Sequence, residues 1–130
     1  MEIAKMLFNQ AKNVQDNAYA PYSKYRVGAA IYAKSKKIYT GCNVENVSFP
    51  CGTCAEAGAI SAMVAGGDRE IKAILILADG KSLVYPCGAC LQRIAEFAGK
   101  KTKIYLADTQ QIRESYTLGE LLPHGFKENI

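Results

Sequence analysis

Cys54 and Glu56 stand two positions apart in Thr53-Cys54-Ala55-Glu56-Ala57-Gly58-Ala59-Ile60, at the head of a run whose apolar residues belong in a buried helix. A free cysteine is often buried and a carboxylate is favoured by the dipole at a helix start, but the two together at this offset raise the question of a metal site. The chain has five cysteines, at positions 42, 51, 54, 87 and 90, and they form one Cys-x-x-Cys at Cys51 and Cys54 and another at Cys87 and Cys90. One reading of that spacing is a four-thiolate zinc knuckle. The other leaves Cys51 out: Cys54, Cys87 and Cys90 hold zinc, the fourth position stays open for water, and Glu56 moves protons without ligating the metal.

The elements around these residues decide whether they can meet. Ile3, Met6, Leu7, Ala11 and Val14 recur at helical spacing, which predicts an amphipathic helix near residues 2 to 18. Ala20 to Arg26 breaks it, and Val27 to Ala33 with Lys37 to Cys42 read as a hairpin around a polar lysine tip. Residues 43–53 are a loop. Cys54 to Ala65 is an alanine-rich helix closed by Gly66-Gly67, and Ile71 to Ala78 is a nearly continuous apolar strand, covered on both faces. A second helix runs from about Gly88 to Phe97, then Lys103 to Ala107 as a strand, a further strand from Gln111 to Tyr116, and a short helix in Thr117 to Pro123. This predicts an α/β fold, a mixed β-sheet with helices on both faces, in three α-β-α layers. Cys54 opens one helix, and Cys87 and Cys90 open the other. With both helices on one face of the sheet, their N-termini lie side by side and three thiolates converge, aided by the unpaired N–H groups of each first turn.

Composition narrows the function classes. A chain of 130 residues, 49% hydrophobic and 22% charged, reads as a single soluble domain spanning 1–130. No apolar run is long enough for a bilayer, and charged Glu2 and Lys5 near the start do not read as a signal peptide. The expected location is the cytoplasm, where thiols stay reduced and a metal is the better use for cysteines. A net charge of +4, its lysines scattered apart from Lys34 to Lys37, gives no nucleic-acid patch.

Cys54-Ala55-Glu56 followed by Pro86-Cys87-Gly88-Ala89-Cys90 matches the pattern of zinc-dependent nucleobase deaminases. The chain as a whole resembles the small cytidine deaminases with three cysteine ligands. The resemblance rests on five segments in order: APYSKYRVGAA, GCNVENVSF, CAE, PCGAC and ELLPHGF. It implies a cytidine deaminase-like catalytic domain binding one zinc ion through Cys54, Cys87 and Cys90, with Glu56 moving protons between water, the ring N3 and the departing amine. Attack of activated water on C4 and loss of ammonia would turn cytidine and deoxycytidine into uridine and deoxyuridine, a pyrimidine-salvage reaction. It further implies that Asn43 and Glu45 hold the ribose hydroxyls, that Tyr25 lies against the pyrimidine, that Ala55 contributes to substrate binding, and that Phe126 closes the pocket of a neighbouring subunit in a homotetramer with shared active sites. Charge favours a free nucleoside independently, because a carboxylate at Glu45 accepts from sugar hydroxyls and repels a phosphate on the same sugar.

Plainer roles stand beside these. Cys42 and Cys51 read as ordinary small residues, although Cys51 keeps the four-thiolate alternative open, and with it a catalytically silent zinc-stabilised binding or assembly domain. His124 reads as a surface loop residue. Two positions depart from the family's pattern: Ala57 and Leu91 stand where arginine is usual. A three-thiolate centre without those arginines is expected to be less neutralised and a poorer Lewis acid, helped only by the helix N-termini unless a more distant residue such as Arg93 swings in. The departure also leaves room for a related aminonucleoside, such as an antibiotic nucleoside, as substrate.

Overall fold

In the computed structural model, which describes residues 2–80 and 83–127, the sheet has the strand order β2-β1-β3-β4-β5. The strands are β1 (Val27–Ala33), β2 (Ile38–Cys42), β3 (Ile71–Ala78), β4 (Lys103–Ala107) and β5 (Ile112–Thr117). β3 and β4 run parallel, joined through helix α3 (Gly88–Glu96), and every other pairing is antiparallel. Helix α1 (Glu2–Gln15) covers one face, and α2 (Ala55–Ala65), α3 and the short α4 (Leu118–Leu121) cover the other.

The two-residue period of the strands explains the layering. Ala30, Ala73, Leu75, Leu77 and Ala107 point to the α1 side, where they meet Leu7 and Ala11. Their neighbours Ala29, Ile31, Ile74, Ile76, Ile104 and Leu106 point the other way, against Ala59, Met63 and Ile94. β1 and β3 are therefore apolar on both faces, and each fully buried Leu or Ile contributes about 1.5–3 kcal/mol. β2 and β5 are the edges, and β5 carries exposed Arg113 and Glu114, a charge pattern that discourages further strand pairing.

Two local features set the position of the chemistry. A Cβ on Gly41 would stand 2.3 Å from the Ala59 nitrogen and 2.5 Å from the Ala55 oxygen, so glycine there lets α2 lie directly on β2. The first helix stops at Gln15, short of residue 18, because the Gln15 side chain is buried and donates Nε2 to the Arg26 carbonyl and to Asp79 Oδ1, both at 3.0 Å. That ties the end of α1 to the segment entering β1. Residues 43–53 are more ordered than a plain loop: Val44 bridges Tyr19 and Thr53, and Phe49–Cys51 forms a 3₁₀ turn with Pro50 near its start. The lysine tip at Lys34 to Lys37 is exposed, as its composition predicts.

Candidate active site

Cys54 is the N-cap of α2 and Cys87 the N-cap of α3, and Cys90 follows within the first turn of α3. The two helices pack on each other, which brings their N-termini together. The donor atoms of Cys54, Glu56 and Cys90 all lie within 4.8 Å of one another, and among the described residues they form the one such group. The Cys54 and Cys90 sulfurs approach to 2.7 Å. Glu56 is 6% exposed and Cys90 2%.

Burial pushes the Glu56 carboxyl above its ordinary value, so it holds a proton more readily than a surface glutamate. The hydrogen bond with Cys90 draws the Cys54 thiol down to about 6, while the same bond and burial push Cys90 up. Soft sulfur donors facing each other at helix N-termini, one of them already biased toward thiolate, are a donor set that fits zinc. A buried carboxylate alongside is placed as an acid/base group for whatever the metal binds.

The remaining cysteines sort as follows. Cys87 is exposed and its sulfur lies outside the close group, although its charge bears on Cys90. Cys51 is exposed and its thiol faces the Ser48 hydroxyl at 3.7 Å, away from the close group, and Cys42 is half-buried and likewise outside it.

Both supports named from the sequence are present: the Ala57 N–H at the start of α2 bonds the Cys54 sulfur, and the more distant Arg93 swings in. Arg93 brings Nη1 to 3.5 Å from the Cys90 sulfur and 3.9 Å from the Cys54 sulfur. The signal was present in the sequence, since residues three apart on a helix are neighbours and Arg93 lies three beyond Cys90.

A cleft of about 450 Å³ is lined by Tyr22, Ser23, Asn43, Glu45, Phe49 and Thr53 among others. Thr53, the residue before Cys54 in the chain, is one of its lining residues, while Cys54, Glu56, Cys87 and Cys90 are not. Glu45 Oε1 accepts from the backbone N–H groups of Tyr22 and Ser23, each at 3.1 Å, and Oε2 accepts from the Ser23 hydroxyl. The Ser23 bonds hold the Glu45 carboxyl below the ordinary carboxylate value. Asn43 Oδ1 accepts from the Val27 N–H at 2.9 Å, and its Nδ2 donates to the Tyr25 carbonyl at 2.8 Å. Both side chains thus frame the cleft while tying its walls together. The pairing of Glu45 with Tyr22 and Ser23 is invisible to spacing, because the partners are more than twenty positions apart.

Tyr25 is half-buried beside Asp79 and Gly80 and is not among the residues lining the cleft. Ala55 is fully buried in the first turn of α2. The Phe126 ring is 77% exposed, with its backbone held by Gln92 through N–H to Oε1 at 2.9 Å and Nε2 to carbonyl at 3.1 Å. The Ala57 and Leu91 side chains provide no donor to the sulfurs, although the Ala57 backbone N–H bonds the Cys54 sulfur, and Leu91 is packed into the core. His124 sits in an exposed turn.

A family model described as the cytidine and deoxycytidylate deaminase zinc-binding region matches residues 1–106. The chain belongs to that family. It is 40% identical to the cytidine deaminase of Sporosarcina psychrophila over 131 aligned positions, covering 100% of this chain and 96% of that one. The crystal structure of the Burkholderia pseudomallei cytidine deaminase superposes with a TM-score of 0.87 at 36% identity, covering 94% of this chain and 98% of that one. The Mycobacterium tuberculosis cytidine deaminase gives a TM-score of 0.80 at 34% identity, with 95% and 97% covered. Family membership accounts for the three-layer fold and for zinc as the metal that the sulfur cluster would take.

Proposed function

We propose that this chain, as one catalytic domain, carries out zinc-dependent hydrolytic deamination of free cytidine and deoxycytidine, releasing uridine or deoxyuridine and ammonia, a pyrimidine-salvage reaction. The observation that carries the reading is a buried carboxylate, Glu56, inside a cluster of facing cysteine sulfurs. Cys54, Cys87 and Cys90 hold the ion in this reading. Zinc, when bound, supplies a water whose pKa is lowered and a Lewis acid that leaves the fourth position open.

Glu56 takes the proton released by the attacking water, delivers one to N3 of the ring, and then protonates the leaving amine. Its raised affinity for a proton suits all three transfers, since it must both accept and return one near neutral pH. Ala55, buried in the first turn of α2, contributes its backbone to substrate binding. Asn43 and Glu45 hold the sugar: Asn43 keeps a second N–H and a second lone pair beyond its observed bonds, and Glu45 keeps acceptor capacity on Oε2. Tyr25 is given the pyrimidine side by the family resemblance alone, since it lies beside Asp79 and Gly80 and does not line the cleft, and the Glu45 carboxylate disfavours a phosphate on the bound sugar.

Phe126 of one copy closes the cleft of another in a homotetramer. The exposed Phe49, Val47 and Phe126 support that reading, at 77%, 76% and 77%. No helix among the described residues is long and apolar enough to cross a membrane, in keeping with a cytoplasmic enzyme. The test is loss of cytidine absorbance with purified protein, with and without chelator, and with deoxycytidylate as comparator. Zinc-restorable turnover of cytidine and weak turnover of the monophosphate are expected; no turnover at one zinc per chain rejects the assignment.

A further inference from the structure

Charge balance at the sulfur cluster is unsolved by the residues that the family pattern would use, and the structure assigns it to another. Zinc carries two positive charges against three from cysteine thiolates, leaving one negative charge before any water is counted. Ala57 and Leu91 bear no charge, and Leu91 is turned into the core among Ala29, Ile94 and Ile104. Arg93 is different. One turn beyond Cys90 on α3, it directs its guanidinium across the helix start to both sulfurs, at 3.5 and 3.9 Å. The Arg93 side chain joins none of the ion pairs found among the described residues, whose cations are Arg26, Lys34, Lys72 and Arg113.

We propose that Arg93 is the charge-balancing partner of the zinc thiolates in this chain, reaching from α3 the sulfurs of both helices. The proposal rests on the reading of Cys54, Cys87 and Cys90 as zinc ligands. Arg93 acts through the sulfurs and does not touch the substrate, so it is a positioning residue. A guanidinium N–H bonded to a thiolate draws electron density off sulfur, which leaves the metal more positive and its bound water more acidic. Both contacts come from Nη1, whose two N–H groups can each face one sulfur. Ala57 becomes intelligible in this light: a small residue at the start of α2 leaves the space over the sulfurs to the arginine of α3.

The test uses the full protein loaded with cobalt(II) in place of zinc, because sulfur-to-cobalt charge-transfer absorption reports electron density on the thiolates without reference to turnover. Arg93→Gln is expected to move that band to longer wavelength at unchanged metal stoichiometry, and to lower kcat on cytidine by about tenfold in the zinc enzyme with little change in KM. Adding Ala57→Arg to Arg93→Gln should restore both, whereas Ala57→Arg alone should leave the band in place and change kcat by no more than about twofold. Arg93→Lys keeps the charge on a shorter side chain, and its band should fall between wild type and Arg93→Gln. A band and kcat that stay at wild-type values in Arg93→Gln and Arg93→Lys, with metal bound, overturn the proposal. Failure of the underlying reading looks different: Cys54→Ala or Cys90→Ala would then hold metal as well as wild type does.

Discussion

In the proposed reading Glu56 and the cysteines carry the chemistry, and each has a substitution that separates metal binding from proton transfer. Glu56→Gln keeps the size and the hydrogen-bonding capacity of the side chain but cannot take up and release a proton. Zinc content and melting temperature should stay near wild type while kcat falls at least about a hundredfold; activity within a few-fold of wild type would place the proton shuttle elsewhere. The cysteines make a sharper contrast. Cys87 lies outside the close donor group while Cys51 points to Ser48, so the three-ligand reading and the four-thiolate reading diverge at these two residues. Cys87→Ala should lose zinc under mild chelation, and Cys51→Ala should retain about one ion per chain, as read by metal analysis after dialysis. Zinc loss in Cys51→Ala would leave no open position for water and end the catalytic reading. At this scale the sequence was legible where motif residues are close neighbours on one helix. Arg93 was legible as a residue that could swing in toward Cys90, but its reach to the Cys54 sulfur as well depends on α2 and α3 packing together.

The helices and strands were written in the sequence by period and by glycine. β1, β3 and β4 have the bounds that their apolar runs imply, because strands covered on both faces leave little choice of end. Less was legible where tertiary contacts override local pattern, as when the buried Gln15 side chain ends α1 early. The 43–53 segment is the larger case. It looks like an irregular loop, yet Val44 bridges two other segments, and Glu45 clamps residues 22 and 23 to form the cleft wall. The clamp has a pH signature. Because the folded-state value of Glu45 is lowered by its bonds to Ser23, its stabilisation is fully present above the unfolded value and is lost as pH falls through the folded one. Carboxyl carbon-13 titration of Glu45 should therefore give a midpoint below that of a free glutamate, and Ser23→Ala should raise it. A midpoint at or above the free value would mean that the clamp does not hold in solution.

Across the whole molecule, apolar surface concentrates beside the cleft and at the end of the described chain. Phe49 and Phe126 are each 77% exposed and Val47 76%, and Tyr22 packs edge-on to Phe49 with ring centroids 6.4 Å apart. Scattered exposed apolar residues need no explanation, but a group on the rim of a cleft is the pattern of a surface that another chain covers. The ring of Phe126 is presented outward by two hydrogen bonds between its backbone and Gln92, so its exposure follows from a fixed pose on α3. In the proposed tetramer that ring reaches the cleft of a second copy, and its removal has a consequence that separates assembly from chemistry. Phe126→Ala should leave zinc content and the fold of each chain unchanged, weaken the tetramer in sedimentation at micromolar concentration, and raise KM for cytidine several-fold more than it lowers kcat, because it removes a wall of the cleft and no group that moves a proton. Mixing Phe126→Ala with Glu56→Gln supplies the stricter test. Each variant then contributes the half that the other lacks, and mixed oligomers should regain low-KM turnover in sites that pair an intact Glu56 with a partner bearing Phe126. If the mixture shows only the sum of the two separate activities after subunit exchange has been verified, each cleft is complete within its own chain and the shared-site reading is wrong.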